Sequence, residues 1–160
     1  MRWIRHLLSR VNRHFPPATM DAIRDAIANS ERRQLGEIVF AVEGRLSFTD
    51  LWHGRQARDC AIEAFSKLRV WDTEGNSGVL IYLLLADHAI EIVADRGIAR
   101  HVPDSDWQAV CGDMRQRLAG GDFEGGVIAG IEAIRERLDQ HLPSDNHANP
   151  NELPDRPIVL

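Results

Sequence analysis

At 160 residues, 44% of them hydrophobic, the chain has the length of one ordinary domain and enough apolar material for a core of its own. Its formal charge is −5, and Arg2, Arg5, Arg10 and Arg13 are collected in an acid-free opening segment, so the remainder is too acidic for generic nucleic-acid binding, which needs clustered cations. The longest apolar run, Val79 to Ala86, is far short of the roughly 20 residues of a membrane-spanning helix, and no uninterrupted apolar stretch with a small-residue cleavage site opens the chain, so cytoplasmic residence is expected.

Residues 1–16 read as a basic amphipathic arm, in which Trp3, Ile4, Leu7, Leu8 and Val11 recur at helical spacing between arginines until Pro16 and Pro17. Such an arm either docks on a partner protein or a membrane surface, or covers part of the core, because a helix this short needs packing to persist. Thr19 is the predicted N-cap of the next helix, with Asp21 in its first turn, Met20, Ile23 and Ile27 on one face, and an end near Arg33. From Glu37 to Glu43 the pattern turns to a β-rich run without helical period, bounded by Gly36 and Gly44: a strand buried on both faces.

Thr49-Asp50 is expected to open a second helix, carrying Ala57, Ala61, Ala64, Phe65 and Leu68 and ending around Arg69. After a loop from Trp71 to Ser77, the run Val79 to Ala86 is too continuous for a half-exposed strand and becomes the central one. Asp87-His88 then reads as a two-residue hairpin into Ala89–Ala94. Two helices follow, one from near Asp104 with Trp107, Val110, Cys111, Met114 and Leu118, the other with Val127, Ile131, Ile134 and Leu138, separated by Gly120-Gly121. Gly125, Gly126 and Gly130 weaken the second of these, which points to close packing against a neighbour. Residues 143–160, with Pro143, Pro150, Pro154 and Pro157, form an expected extended tail, whose Ile158-Val159-Leu160 is able to dock on an edge or in a groove. Cys60 and Cys111 each sit in an amphipathic pattern and read as reduced core residues.

A strand-helix-strand crossover makes the first two strands parallel, and the hairpin adds an antiparallel third. With helices on both faces, the domain over residues 17–142 is a three-layer α/β/α sandwich on a small mixed sheet.

These stretches resemble the TPM domain, the family of the thylakoid-lumen acid phosphatase and of many bacterial proteins. The resemblance lies in Gly36 to Val42, Phe65 to Trp71, Asn76 to Ile81, the Asp87-His88 turn, Ile90 to Ile98, and the closing Gly121-Asp122-Phe123 with Gly126 and Gly130. It implies phosphatase activity or binding of a divalent metal, Ca²⁺ or Mg²⁺. Two departures stand out: many members carry a secretory signal and a membrane helix that this chain does not show, and the family's usual Asp-Arg at the hairpin is Asp87-His88 here.

The hairpin reverses direction, so the loop entering the central strand and the end of the third strand meet at one rim of the sheet. There Asp72, Asn76, Asp95 and Asp104 offer oxygen ligands suited to calcium or magnesium, while Trp71 and Arg96 line the place and Arg96 suits an anion such as phosphate. The plainer reading makes Asn76 a turn residue, Asp104 a cap, Asp72 solvated and Trp71 core. At the opposite rim, Glu43, Asp87 and His88 end the parallel strands, where open α/β sheets bind ligands. They form an alternative acid, base or metal-ligand set, against which stands the use of Asp in turns for geometry alone. Cys111 and Arg117 match a Cys-x5-Arg spacing, but Cys111 falls on the apolar face of a predicted helix, and Asp104-Ser-Asp106 reads as helix-dipole compensation. The scattered histidines support no zinc site. The expected function is therefore a divalent-cation- or protein-binding domain; a metal-assisted phosphomonoesterase and a pure protein- or membrane-surface interaction module are the alternatives.

Overall fold

β1 (Glu37–Glu43) and β2 (Gly78–Leu84) are built from aliphatic, branched and aromatic side chains, and of their residues all but Glu43 are buried. Strands like these belong inside a sheet covered on both faces. They pair in parallel, from Glu37 opposite Gly78 to Glu43 opposite Leu84. β3 (Ala89–Ala94) returns antiparallel to β2, with Val79 opposite Ala94 and Leu84 opposite Ala89. A short β4 (Ile158–Val159) lies parallel to β1 at Ala41 and Val42, which gives the order β3-β2-β1-β4. The structure, a computed structural model, describes residues 10–31, 36–142 and 151–160. Trp3, Ile4, Leu7 and Leu8 of the predicted arm, the predicted helix end at Arg33, and Pro143 and Pro150 of the tail lie outside the described residues.

The helices are α1 (Val11–His14), α2 (Pro17–Glu31), α3 (Phe48–Trp52), α4 (Ala57–Lys67), α5 (Arg96–Ala99), α6 (Asp104–Ala119) and α7 (Phe123–His141). Side chains alternate along a strand, so each strand feeds two cores. Ile38, Phe40, Val42, Val79, Ile81, Leu83, Ile90 and Ile92 share one with Ile23 and Ile27 of α2, Trp107 and Met114 of α6, and Ile131 and Ile134 of α7. Val39, Ala41, Leu80, Tyr82 and Leu84 share the other with Ala57, Cys60, Ala61 and Ala64 of α4. The result is the expected three-layer α/β/α sandwich. The glycines of α7 do pack closely: a Cβ on Gly126 would stand 2.4 Å from Leu118 Cδ1, and one on Gly130 2.3 Å from Met114 Sδ.

Several boundaries differ from expectation. α2 starts at Pro17, whose ring presets the first helical φ, so Thr19 lies inside the helix and its hydroxyl donates to Glu124 at 2.7 Å. The helix expected from Thr49 is two: Ser47 caps α3 through the Asp50 amide, Gly54 at φ +69° turns the chain, and Gln56 with Asp59 forms a capping box for α4. The hairpin takes four residues rather than two. Leu85–Asp87 form a 3-10 turn, His88 sits at φ +54°, and the Ala86 amide leaves the ladder for the Gly44 carbonyl at 3.2 Å. The tail docks at its end, with the Leu160 amide on the Val42 carbonyl at 3.0 Å and Leu153 buried in the second core.

Both cysteines are buried and unpaired. Cys111 lies in the first core on α6, where burial, and after it the charge of Glu91, pushes its thiol up to about 11. A nucleophilic thiolate needs the opposite shift. Both thiols should therefore resist iodoacetamide near neutral pH in the native protein and react on unfolding; rapid native alkylation of Cys111, located by mass spectrometry, would contradict this. At Gly78 a Cβ would stand 1.9 Å from the Val70 carbonyl oxygen, where β2 passes the end of the α4 segment. Gly78→Ala should cost about 3 kcal/mol in urea unfolding, the upper part of the range for overpacking.

Candidate functional site

Where the 71–77 loop enters β2, backbone bonds knit three segments together. The Asp95 amide donates to the Gly78 carbonyl at 2.8 Å, the Glu37 amide to Ser77 at 3.1 Å and the Gly97 amide to Asn76 at 3.0 Å. Asn76 takes φ +49°, a left-handed conformation that Asn tolerates better than most residues, and its Oδ1 accepts Arg96 Nε at 3.0 Å. Gly97 presses on this loop, since a Cβ there would be 2.5 Å from the carbonyl oxygens of both Gly75 and Asn76.

Asp95 caps α5, and its Oδ1 accepts the Arg96 amide at 2.7 Å. The residue is only 9% exposed, and its Oδ2 is buried with no hydrogen-bond partner. An acceptor left in that state costs on the order of 1–3 kcal/mol. The rim thus brings Asn76, Asp95 and Arg96 together. Asp72 is turned to Arg69, whose Nη2 donates at 2.6 Å, and both side chains are exposed. Trp71 is 47% exposed, with the Arg69 guanidinium 5.7 Å from its ring centroid, so it is not the core residue of the plainer reading. Asp104 is exposed in the first turn of α6, and Pro103 occupies the N-cap position. Among the described residues, no three His, Cys, Asp or Glu side chains are grouped so as to hold a metal.

At the opposite rim the Tyr82 hydroxyl donates to Glu43 Oε2, and burial, with Glu43 beside it, raises the phenol. Asp87 ends the 3-10 turn and His88 follows in the left-handed region. His14, which sequence reading assigned to the arm, reaches this rim: its ring centroid is 4.2 Å from that of Phe123, and burial, then Arg13 and His88, lower its pKa. Two surface grooves, one between α2 and α7 and one between α6 and α7, are lined by none of the predicted site residues.

Sequence reading passed over a third constellation. Glu37, read as the flank of a strand, is fully buried, and its Oε1 and Oε2 accept the amides of Glu152 at 3.3 Å and Leu153 at 3.2 Å. Glu31, near the predicted helix end, is 8% exposed; its Oε1 accepts the Ile38 amide at 2.9 Å and its Oε2 is buried without a partner. No local motif announces the role of Glu37, because its partners are backbone amides some 115 positions away. The exposed Phe48 and Trp52 rings, stacked with centroids 6.4 Å apart, were also missed, since the helix period assigned to that segment began later.

Comparison with known proteins agrees with this architecture. The family model of the TPM domain matches residues 12–137. The NMR structure of the BA42 protein from the psychrophilic bacterium Bizionia argentinensis superposes with a TM-score of 0.77 at 27% identity, covering 89% of this chain and 92% of that one. The N-terminal domain of a P. gingivalis protein shares the fold, with a TM-score of 0.63 at 16% identity over 81% of this chain and 82% of that one. No curated protein matches the chain. With most of its length matched by the family model, and with the sheet and helices arranged as described, the chain belongs to the TPM domain family.

Proposed function

We propose that this TPM domain binds a divalent cation, calcium or magnesium, at the rim formed by residues 72–78 and 95–97, with Asp95 as the anchoring ligand. The observation that carries the reading is the buried Asp95 Oδ2 with no hydrogen-bond partner. Hard cations take oxygen ligands, and backbone carbonyls that already accept one hydrogen bond, such as those of Asn76, Ser77 and Gly78, retain a second lone pair. Asp72 is available at little cost, because its exposed ion pair with Arg69 is worth about 1 kcal/mol or less. Asn76 Oδ1 and Asp104 complete the ligands that the sequence nominates, with water in the remaining positions. A site with so few charges binds weakly, with Kd on the order of 10⁻⁴ to 10⁻³ M.

Arg96 favours a second reading, a metal-assisted phosphomonoesterase. Its exposed side chain is held through Nε to Asn76, beside Asp95, where a guanidinium can stabilise a transferring phosphoryl group while the cation orients water.

Titration of calcium or magnesium into ¹⁵N-labelled protein, to about 10 mM, should shift amides of residues 72–78 and 95–98. The shifts should vanish in Asp95→Asn, which keeps a capping oxygen for α5. An unresponsive rim in the wild type, or equal shifts in the variant, would remove the cation reading. Turnover of a generic phosphate ester that is lost in both Asp95→Asn and Arg96→Ala would establish the second reading; equal rates in all three proteins would identify a contaminant.

A further inference from the structure

The outer edge of β1 is closed by residues 151–160 rather than by a full strand. Ile38 and Val42 turn backbone groups to this edge: the Ile38 amide is taken by Glu31 Oε1 at 2.9 Å, and the Val42 carbonyl by the Leu160 amide at 3.0 Å. At the start of the strand the fully buried Glu37 accepts the consecutive amides of Glu152 at 3.3 Å and Leu153 at 3.2 Å, and Glu152 in turn accepts the Glu74 amide at 3.0 Å. Leu153 is buried in the second core, against which Ile158 also packs. What this seat reads is therefore backbone amides and two aliphatic side chains five positions apart, the recognition mode of a strand added to a sheet edge.

None of these contacts depends on how the tail is joined to the rest of the chain. The part matched by the TPM domain, residues 12–137, stops short of it. α7 gives way at Leu142 to an extended backbone, φ −104° and ψ 137°, as suits the residue before Pro143. Leu138, one turn earlier, stands against Gly36 beside Glu37, since a Cβ on Gly36 would be 2.6 Å from its Cδ1. The chain thus leaves α7 close to where the tail is seated, although the eight residues 143–150 between them reach about 26 Å when extended. A connection so long for so short a span can deliver the tail to a neighbouring copy.

We propose that the β1 edge also takes residues 151–160 of a second copy, so that two chains join by reciprocal exchange of their tails. The exchanged pair keeps every contact named above, because each is made between a tail and a seat, and the reciprocal arrangement closes as a two-fold dimer. A short connection holds the tail at its own seat at an effective concentration on the order of millimolar. Closure within one chain therefore prevails in dilute protein, and exchange shows itself where that closure is barred.

Two full-length variants bar it from opposite sides. Leu153→Asp/Ile158→Asp loses both aliphatic anchors of the tail and keeps the seat; Glu37→Ala keeps the tail and removes the acceptor of two amides, which should weaken its own closure about tenfold or more. In the ¹⁵N-labelled Asp variant the amides of Ala41 and Val42 should leave their wild-type positions. They should return on addition of a synthetic peptide of residues 151–160 at about 1 mM, though not of the same peptide with the two Asp changes. Unlabelled Glu37→Ala should restore them too, with light scattering showing twice the chain mass in the mixture and one chain mass in the Asp variant alone. If the Asp variant does not fold, judged by the Ile81 methyl, Leu153→Ala/Ile158→Ala takes its place. Amides that never leave their wild-type positions, or that return with neither addition, would overturn the proposal. Recovery with the peptide but not with the full-length copy would overturn exchange between chains.

Discussion

The parallel pairing of β1 with β2 is the constraint on which everything else rests. Both strands are covered on both faces, so their register cannot slip by one residue without exchanging the side chains of the two cores. With Glu37 held opposite Gly78, the ends of the strands become a built rim. The loop before β2, the end of β3 and the start of β1 are stitched there by the amides of Glu37, Asp95 and Gly97. Gly78 at the centre of this rim tolerates no side chain, because the Val70 carbonyl fills the space.

That rim gathers three buried carboxyl groups, and the structure treats each differently. Glu37 uses both oxygens on backbone amides of the tail. Glu31 uses one oxygen on the Ile38 amide, and Asp95 one on the Arg96 amide, and each keeps a buried second oxygen without a partner. The last two differ in place: Glu31 ends α2 and holds the start of β1, while Asp95 opens α5 beside the loop whose Gly75 and Asn76 carbonyls crowd Gly97.

The sheet and its layers were legible because burial writes itself into the sequence as uninterrupted β-rich runs. Ile38 to Val42 and Val79 to Leu84 carry that mark, and so does the helical repeat from Trp107 to Leu118. Boundaries were less so, for local reasons. Pro17 outcompeted Thr19 for the helix start, and Gly54 cut one expected helix into two. Leu85 and Ala86 are as apolar as the strand before them, yet they leave the ladder in a 3-10 turn. At the candidate site, the meeting of Asn76, Asp95 and Arg96 followed from topology alone. The direction of a side chain did not: nothing in the sequence separates Asp72, turned to Arg69, from Asp95, turned inward. Glu31 and Glu37 stayed hidden because a charged residue beside a strand normally signals its solvated end.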